Sequence, residues 1–309
     1  MEGVFCSARG PRHEQRGLKG PMGRTIQLTA IGAVVAGMTV STLAAQAHKE
    51  FHFTVAPKAG VVVNNPYGSV SVKPSTGNIV TVTAILASDK VEVDNSLVGN
   101  RVEIMSHLLP GADEHSGRVD YEILAPADAS LTLHSSAGSL HAERIHGDVS
   151  LEGAAAKVDV SDVSNAHVHI KTLNGPVTLT NVQDGHVEVD SLSGNVTLKS
   201  VNGPLVQVIS TSGEISYVGD FGDHGEYRLT SHSGNIEAIV PDTISADVSA
   251  RSVKGEVHDD VHLQPKEHPS FVLKEGSAFW GTMGRAAVSS TVVLRSFSGK
   301  IHLRKRSER

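Results

Sequence analysis

VHIKTLNGPVTL (168–179), VEVDSLSGNVTL (187–198) and VQVISTSGEISY (206–217) follow one another along the chain, each beginning 19 residues after the last. Each opens on apolar residues at alternate positions, passes through Ser or Thr into a short turn that reaches glycine, and then resumes alternation. Alternate residues of a strand face opposite sides, so every unit puts one apolar stripe inward. Two short strands and two turns are too little to bury that stripe. A fixed period allows neighbouring units to bury it for one another, which is the signature of a solenoid.

Working outward, further copies begin at Leu131, Val149, Tyr227, Val248 and Val292, making eight at spacings of 18 to 21 residues with one longer gap before the last. The first position of each copy and the third (Leu133, Leu151, Ile170, Val189, Val208, Leu229, Ala250, Leu294) form the expected core. The fifth continues inward as Ser135, Gly153, Thr172, Ser191, Ser210, Ser231, Ser252 and Ser296, a polar row that needs hydrogen-bond partners to survive burial. Position eight is glycine in every copy but one, where Ala156 stands; a turn with positive φ is the expected reason. Residues 48–125 carry strand-like runs without the strict period and are expected to form a β-rich cap or irregular coils before the repeats of 126–309. The fold class expected is all-β, a single-chain β-solenoid. The loop 108–117 (LLPGADEHSG) and an insertion at 264–285 interrupt the pattern, and function often sits where a regular scaffold is broken.

Composition agrees. Of 309 residues only 4% are aromatic, while 30 are Gly. The single cysteine, Cys6, excludes an internal disulfide framework and a cysteine zinc site. A net charge of −6 gives no general attraction to phosphate backbones, so nucleic acid is not an expected partner. The stretch 26–43 is apolar, preceded by Arg24 and followed by Ala45-Gln46-Ala47, the arrangement of a secretory signal peptide over 22–47. Residues 1–21 then read as a disordered extension or a mis-assigned start, with Met22 the true one. An uncleaved anchor is the competing reading of the 26–43 stretch. Cleavage leaves a soluble, cysteine-free chain with no stable membrane span, exported to periplasm, cell surface or medium.

Candidate chemistry is sparse. His167, His169 and His186 fall on adjacent coils and would have to converge to hold a metal; a solvated outer face is the plainer reading. Glu152, Lys171 and Asp190 share one outward slot and read as a cross-strand charge ladder. Asp159, Asp162, Asp184 and Asp190 define no two-carboxylate spacing. Ser-rich motifs such as STSG (210–213) recur in every coil, as turns do and a nucleophile does not. Trp280 with Phe279 and Phe271 is an aromatic group expected to cap the core at the insertion, with a sugar-stacking platform or an anchor for a partner as the alternatives. The basic residues of HLRKRSER (302–309) read as a solvated tail. No catalytic, cofactor-binding or metal residue is assigned, and no cofactor is expected.

The segments NNPYGSVSV (64–72), TLNGPVTL, SHSGNIEA and SFSGKIHLRKR together resemble a bacterial family called domain of unknown function 4097, held to contain adhesins, over about 51–306. The resemblance implies a β-solenoid in the envelope or outside the cell, with no established catalytic residue. The function expected is a non-enzymatic, adhesin-like module for cell-envelope or surface interaction, its partner an unidentified envelope polymer, glycan or protein. The alternative is a carbohydrate-active enzyme, a polysaccharide lyase or hydrolase, with its site near 264–285.

Overall fold

Val149, Val168, Val187 and Val206 pair one upon the next in parallel register, as do Leu151, Ile170, Val189 and Val208. The computed structural model describes residues 47–241, 243–261, 263–265, 277–284 and 290–306. The proposed leader, except Ala47, and the extension before it lie outside the described residues. Among those described, 23 strands form one continuous hydrogen-bonded sheet that winds as a β-solenoid. No described helix is long and apolar enough to cross a membrane.

Each regular coil contributes two strands. His167–Thr172, His186–Ser191 and Leu205–Ser210 belong to one stack, and Val177–Gln183, Val196–Val201 and Ile215–Val218 to the other. First- and third-position residues are fully buried, and so is the inward residue of the second strand in Leu140, Val158, Val177, Val196, Ile215, Ile236 and Ile301, whereas Val257 is only partly buried. The fifth-position row is buried and bonded. Thr172, Ser191 and Ser210 donate to the carbonyls of Gly175, Gly194 and Gly213 at 3.1, 2.7 and 3.2 Å. The hydroxyls of Ser231, Ser252 and Ser296 accept from the amides of Gly234, Gly255 and Gly299. Each hydroxyl thus closes its own turn.

Positive φ does not explain the glycine column of the regular coils. Gly194 and Gly213 lie outside the left-handed region, and glycine is required there by close approach. A Cβ on Gly194 would stand 2.0 Å from the Gly175 carbonyl oxygen, and one on Gly213 would stand 2.1 Å from that of Gly194. The left-handed conformation appears instead within the second strand of each coil, in Asp162, Asn181 and Ser200 (φ 56°, 54° and 52°), which the ladder register skips.

At both ends spatial order departs from chain order. Glu226–Ser231 pairs with Ser290–Ser296, which pairs in turn with Ala246–Ser252. The last copy is therefore inserted between the two before it. Near the N-terminus, Gly60–Pro74 lies between Arg101–Leu108 and Val119–Ala125 on one side and Ser130–Glu143 on the other. Gly60–Pro74 is itself a copy in register: Val61, Val63, Asn65 and Gly68 pair with Leu131, Leu133, Ser135 and Gly138.

Outside these parallel ladders the edges are antiparallel. Val91–Val98 covers Arg101–Leu108, Ala47–Thr54 covers Ile79–Leu86, and Ala278–Met283 covers Ala246–Ser252. These strands close the rungs that a bare solenoid would leave open to pairing with other chains. Part of the 264–285 insertion is thus a capping strand.

The aromatic cluster inside the fold lies elsewhere than expected. Tyr217, Phe221 and Tyr227 pack with ring centroids 4.9 to 5.9 Å apart. Tyr217 occupies a slot held by Leu198 in the preceding coil, and small Ala238 follows it in the next, which makes room for the ring. Trp280 is 42% exposed, and Phe279 is the member of its group that packs on the core. Phe271 lies outside the described residues.

Candidate functional site

The regular corner, where positions five to eight make a tight turn, is absent from two adjacent coils. Gly60–Pro74 and Ser130–Glu143 run through it as unbroken strands, Tyr67 pairing with Ala137 and Gly68 with Gly138. The result is a strip of two continuous paired strands. A Cβ on Gly138 would meet the Gly68 oxygen at 2.0 Å, and one on Gly68 would meet the Val119 oxygen at 2.1 Å, so no side chain can rise from it there.

Over this strip stands the 109–117 loop. The loop is built from its own hydrogen bonds: Asp113 accepts from the amide and hydroxyl of Ser116 at 2.7 and 2.6 Å, and the Gly117 amide donates to the Asp113 carbonyl. Those Ser116 bonds hold the Asp113 carboxyl below its ordinary pKa. Ser88 and Lys90 tie the loop down through the carbonyls of Ser116 and Gly111. Between loop and strip lies a cleft of about 520 Å³ lined by Tyr67, Ser69, Glu114, His115, Arg118, Ser139 and Lys157, besides the small residues of its floor.

Both cations of the cleft are ion-paired. Arg118 donates from Nε and Nη2 to Asp120, and Lys157 Nζ lies 2.8 Å from Asp159. Burial alone would raise the Asp120 pKa, but bonds from the Ser69 amide and hydroxyl, with Arg118, outweigh it and hold the carboxyl below its ordinary value. Beneath lies a buried polar knot in which Asn65 donates to the Val119 carbonyl and Ser106 bonds both Asn65 and Tyr121. These bonds satisfy polar atoms that would otherwise cost stability.

The family pattern described as Toastrack DUF4097 matches residues 61–304, most of the chain and both walls of the cleft. The chain belongs to the Toastrack family. Two solved structures are similar to this Toastrack chain. A candidate cell adhesion protein from Clostridium sporogenes is 12% identical, with 84% of this chain and 100% of that one covered and a TM-score of 0.27. A candidate adhesin from Bacteroides fragilis is 10% identical, with 83% and 97% covered and a TM-score of 0.42. No curated protein matches.

His167 stacks on His186 with ring centroids 5.1 Å apart, while His169 turns to Glu188. Among the described residues no group of three or more His, Cys, Asp or Glu is placed to hold a metal. Glu152, Lys171 and Asp190 are in register as expected, and the Glu152 carboxylate lies 3.4 Å from His134. They line a shallower depression of about 360 Å³ beside exposed Leu173, Leu192 and Ile209. Asp159 serves Lys157, Asp162 accepts from Asn181, and Asp184 occupies a left-handed turn. Of the two interruptions, the 108–117 loop forms a wall of the cleft, and 264–285 is described only in part. Sequence reasoning missed Tyr67, Arg118 and Lys157, since their proximity depends on the inserted position of Gly60–Pro74. The available signal was a large ring at Tyr67, where other copies carry small or polar turn residues.

Proposed function

We propose that this Toastrack chain is an exported, non-enzymatic, adhesin-like module that binds an envelope or surface polymer, with the cleft under the 109–117 loop as its principal site. The observation that carries the reading is the composition of that cleft: an aromatic ring, two cations and a single lining carboxylate, Glu114. Hydrolysis of a glycoside ordinarily requires two carboxylates flanking the bond. Arg118 and Lys157 are paired with Asp120 and Asp159 and keep further N–H donors for a ligand. The apolar stretch at 26–43 supports export, and the long outer faces of the stacked coils supply additional contact area.

Sedimentation of the purified chain with cell-envelope preparations tests the proposal. Saturable binding that falls when Tyr67→Ala and Lys157→Gln are combined is the expected result. Absence of binding to every envelope fraction overturns it.

A further inference from the structure

We infer that the cleft beneath the 109–117 loop recognises a carboxylated sugar, a uronate-type unit of an acidic glycan. This rests on the binding-module reading and adds the chemistry of the ligand. A volume of about 520 Å³ falls within the ~300–1,000 Å³ range of small-ligand sites. The floor is unusual for a surface. Gly138 is exposed and, between small Ala137 and Ser139, keeps the floor low beside half-buried Tyr67, which leaves room for a flat ring to lie there. The C–H face of a pyranose fits such a surface, whereas a bare inorganic anion makes no use of it.

The walls supply donors. Arg118 and Lys157 line the cleft, and because Asp120, Asp159 and Glu114 offset their charge, what they offer a carboxylate is directed N–H groups rather than a net positive field. A guanidinium carries five N–H donors and an ammonium three. Asp120 engages Nε and Nη2 of Arg118, and Asp159 engages Lys157, so each cation is held in place with donors to spare. Pre-oriented donors of this kind make charge-assisted hydrogen bonds to a carboxylate, roughly twice as strong as neutral ones. Ser69, Ser139, His115 and Glu114 surround the same space with groups suited to ring hydroxyls.

The test uses the full chain and two acidic tetrasaccharides, of galacturonate and of mannuronate, each beside its fully methyl-esterified counterpart of equal size. Affinities are read by calorimetry at low and moderate salt. At least one acid is expected to bind about 10-fold more tightly than its ester, a difference that shrinks with salt. Lys157→Gln is expected to remove most of the discrimination, and Tyr67→Ala to weaken acid and ester alike. Lys157 is exposed, and unchanged thermal unfolding of Lys157→Gln separates loss of recognition from loss of fold. Equal affinity for acid and ester overturns the inference, as does discrimination that survives Lys157→Gln. No binding of any probe overturns it too; envelope sedimentation that remains saturable in that case keeps the binding-module reading standing.

Discussion

Tyr227 is paired in the parallel ladder with Val292, and Val248, the next copy in the chain, lies on the far side of Val292. The coil containing Ala246–Ser252 therefore has no neighbour on its inner side until the C-terminal coil arrives. Removing residues 290–309 takes away a middle rung, including buried Val292, Leu294 and Ile301. Limited proteolysis of that truncation is expected to yield a resistant fragment ending near the Glu226–Ser231 strand, with everything beyond it degraded. A resistant fragment reaching about residue 259 contradicts this order of stacking.

The glycine column is a packing requirement, and its steric cost can be separated from conformational strain. Gly194→Ala directs a methyl into the Gly175 carbonyl 2.0 Å away, and neither backbone can yield without parting two coils. A loss of about 3 kcal/mol or more is expected, at the upper end of overpacking effects. Gly99 has φ of 62° with nothing within 4 Å, so Gly99→Ala is expected to cost only the left-handed penalty of about 1–2 kcal/mol. Urea unfolding of the two variants checks the ranking; equal losses would show that close approach is not what selects glycine in the column.

Much of this architecture was legible in the sequence because the period of two and the period of 19 reinforce each other. Val168, Ile170 and Thr172 fall where alternation puts them, and their partners lie one repeat away. Chain order beyond Tyr227 was not legible, since Val248 and Val292 carry equivalent patterns and either fits the next rung. The reason for glycine was misread because one sequence cannot distinguish a residue chosen for its φ from one chosen for what its absent Cβ avoids. The cleft escaped for a topological reason: Tyr67, Arg118 and Lys157 are far apart in the chain, and only the placement of Gly60–Pro74 beside Ser130–Glu143 unites them with the 109–117 loop.

Buried tyrosines are expected to make stability fall at alkaline pH. Burial pushes the Tyr121 hydroxyl up from 10.0 to about 12, against the opposing effect of its Ser106 bond, and burial also raises Tyr217 and Tyr227. Above pH 10 the unfolded chain loses these protons first, so it binds fewer than the native state and stability falls as pH rises. The contribution is complete below pH 10 and is lost toward pH 12 and beyond, by about 1.4 kcal/mol per pH unit for each tyrosine. Denaturant midpoints measured between pH 9 and 12 are expected to decline, and Tyr121→Phe to flatten the decline. A flat profile over that range would refute the assignment.

Tyr217 also tests how far the polar interior depends on complete pairing. Its hydroxyl lies 2.6 Å from the Asp220 carbonyl and 3.0 Å from that of Val201. Tyr217→Phe keeps the ring stack with Phe221 but removes the donor, at an expected cost of about 1–3 kcal/mol. Thermal unfolding reads the loss, and an unchanged melting temperature would show that these carbonyls find other partners.

The most direct measurement incubates the chain with a panel of acidic and neutral polysaccharides and reads two quantities from the same samples: bound protein, and newly released reducing or unsaturated ends. Saturable binding to an acidic member, with no ends above the protein-free control, is the outcome expected of a binding module with one lining carboxylate. Ends that accumulate with time and in proportion to protein would contradict it and make the chain an enzyme.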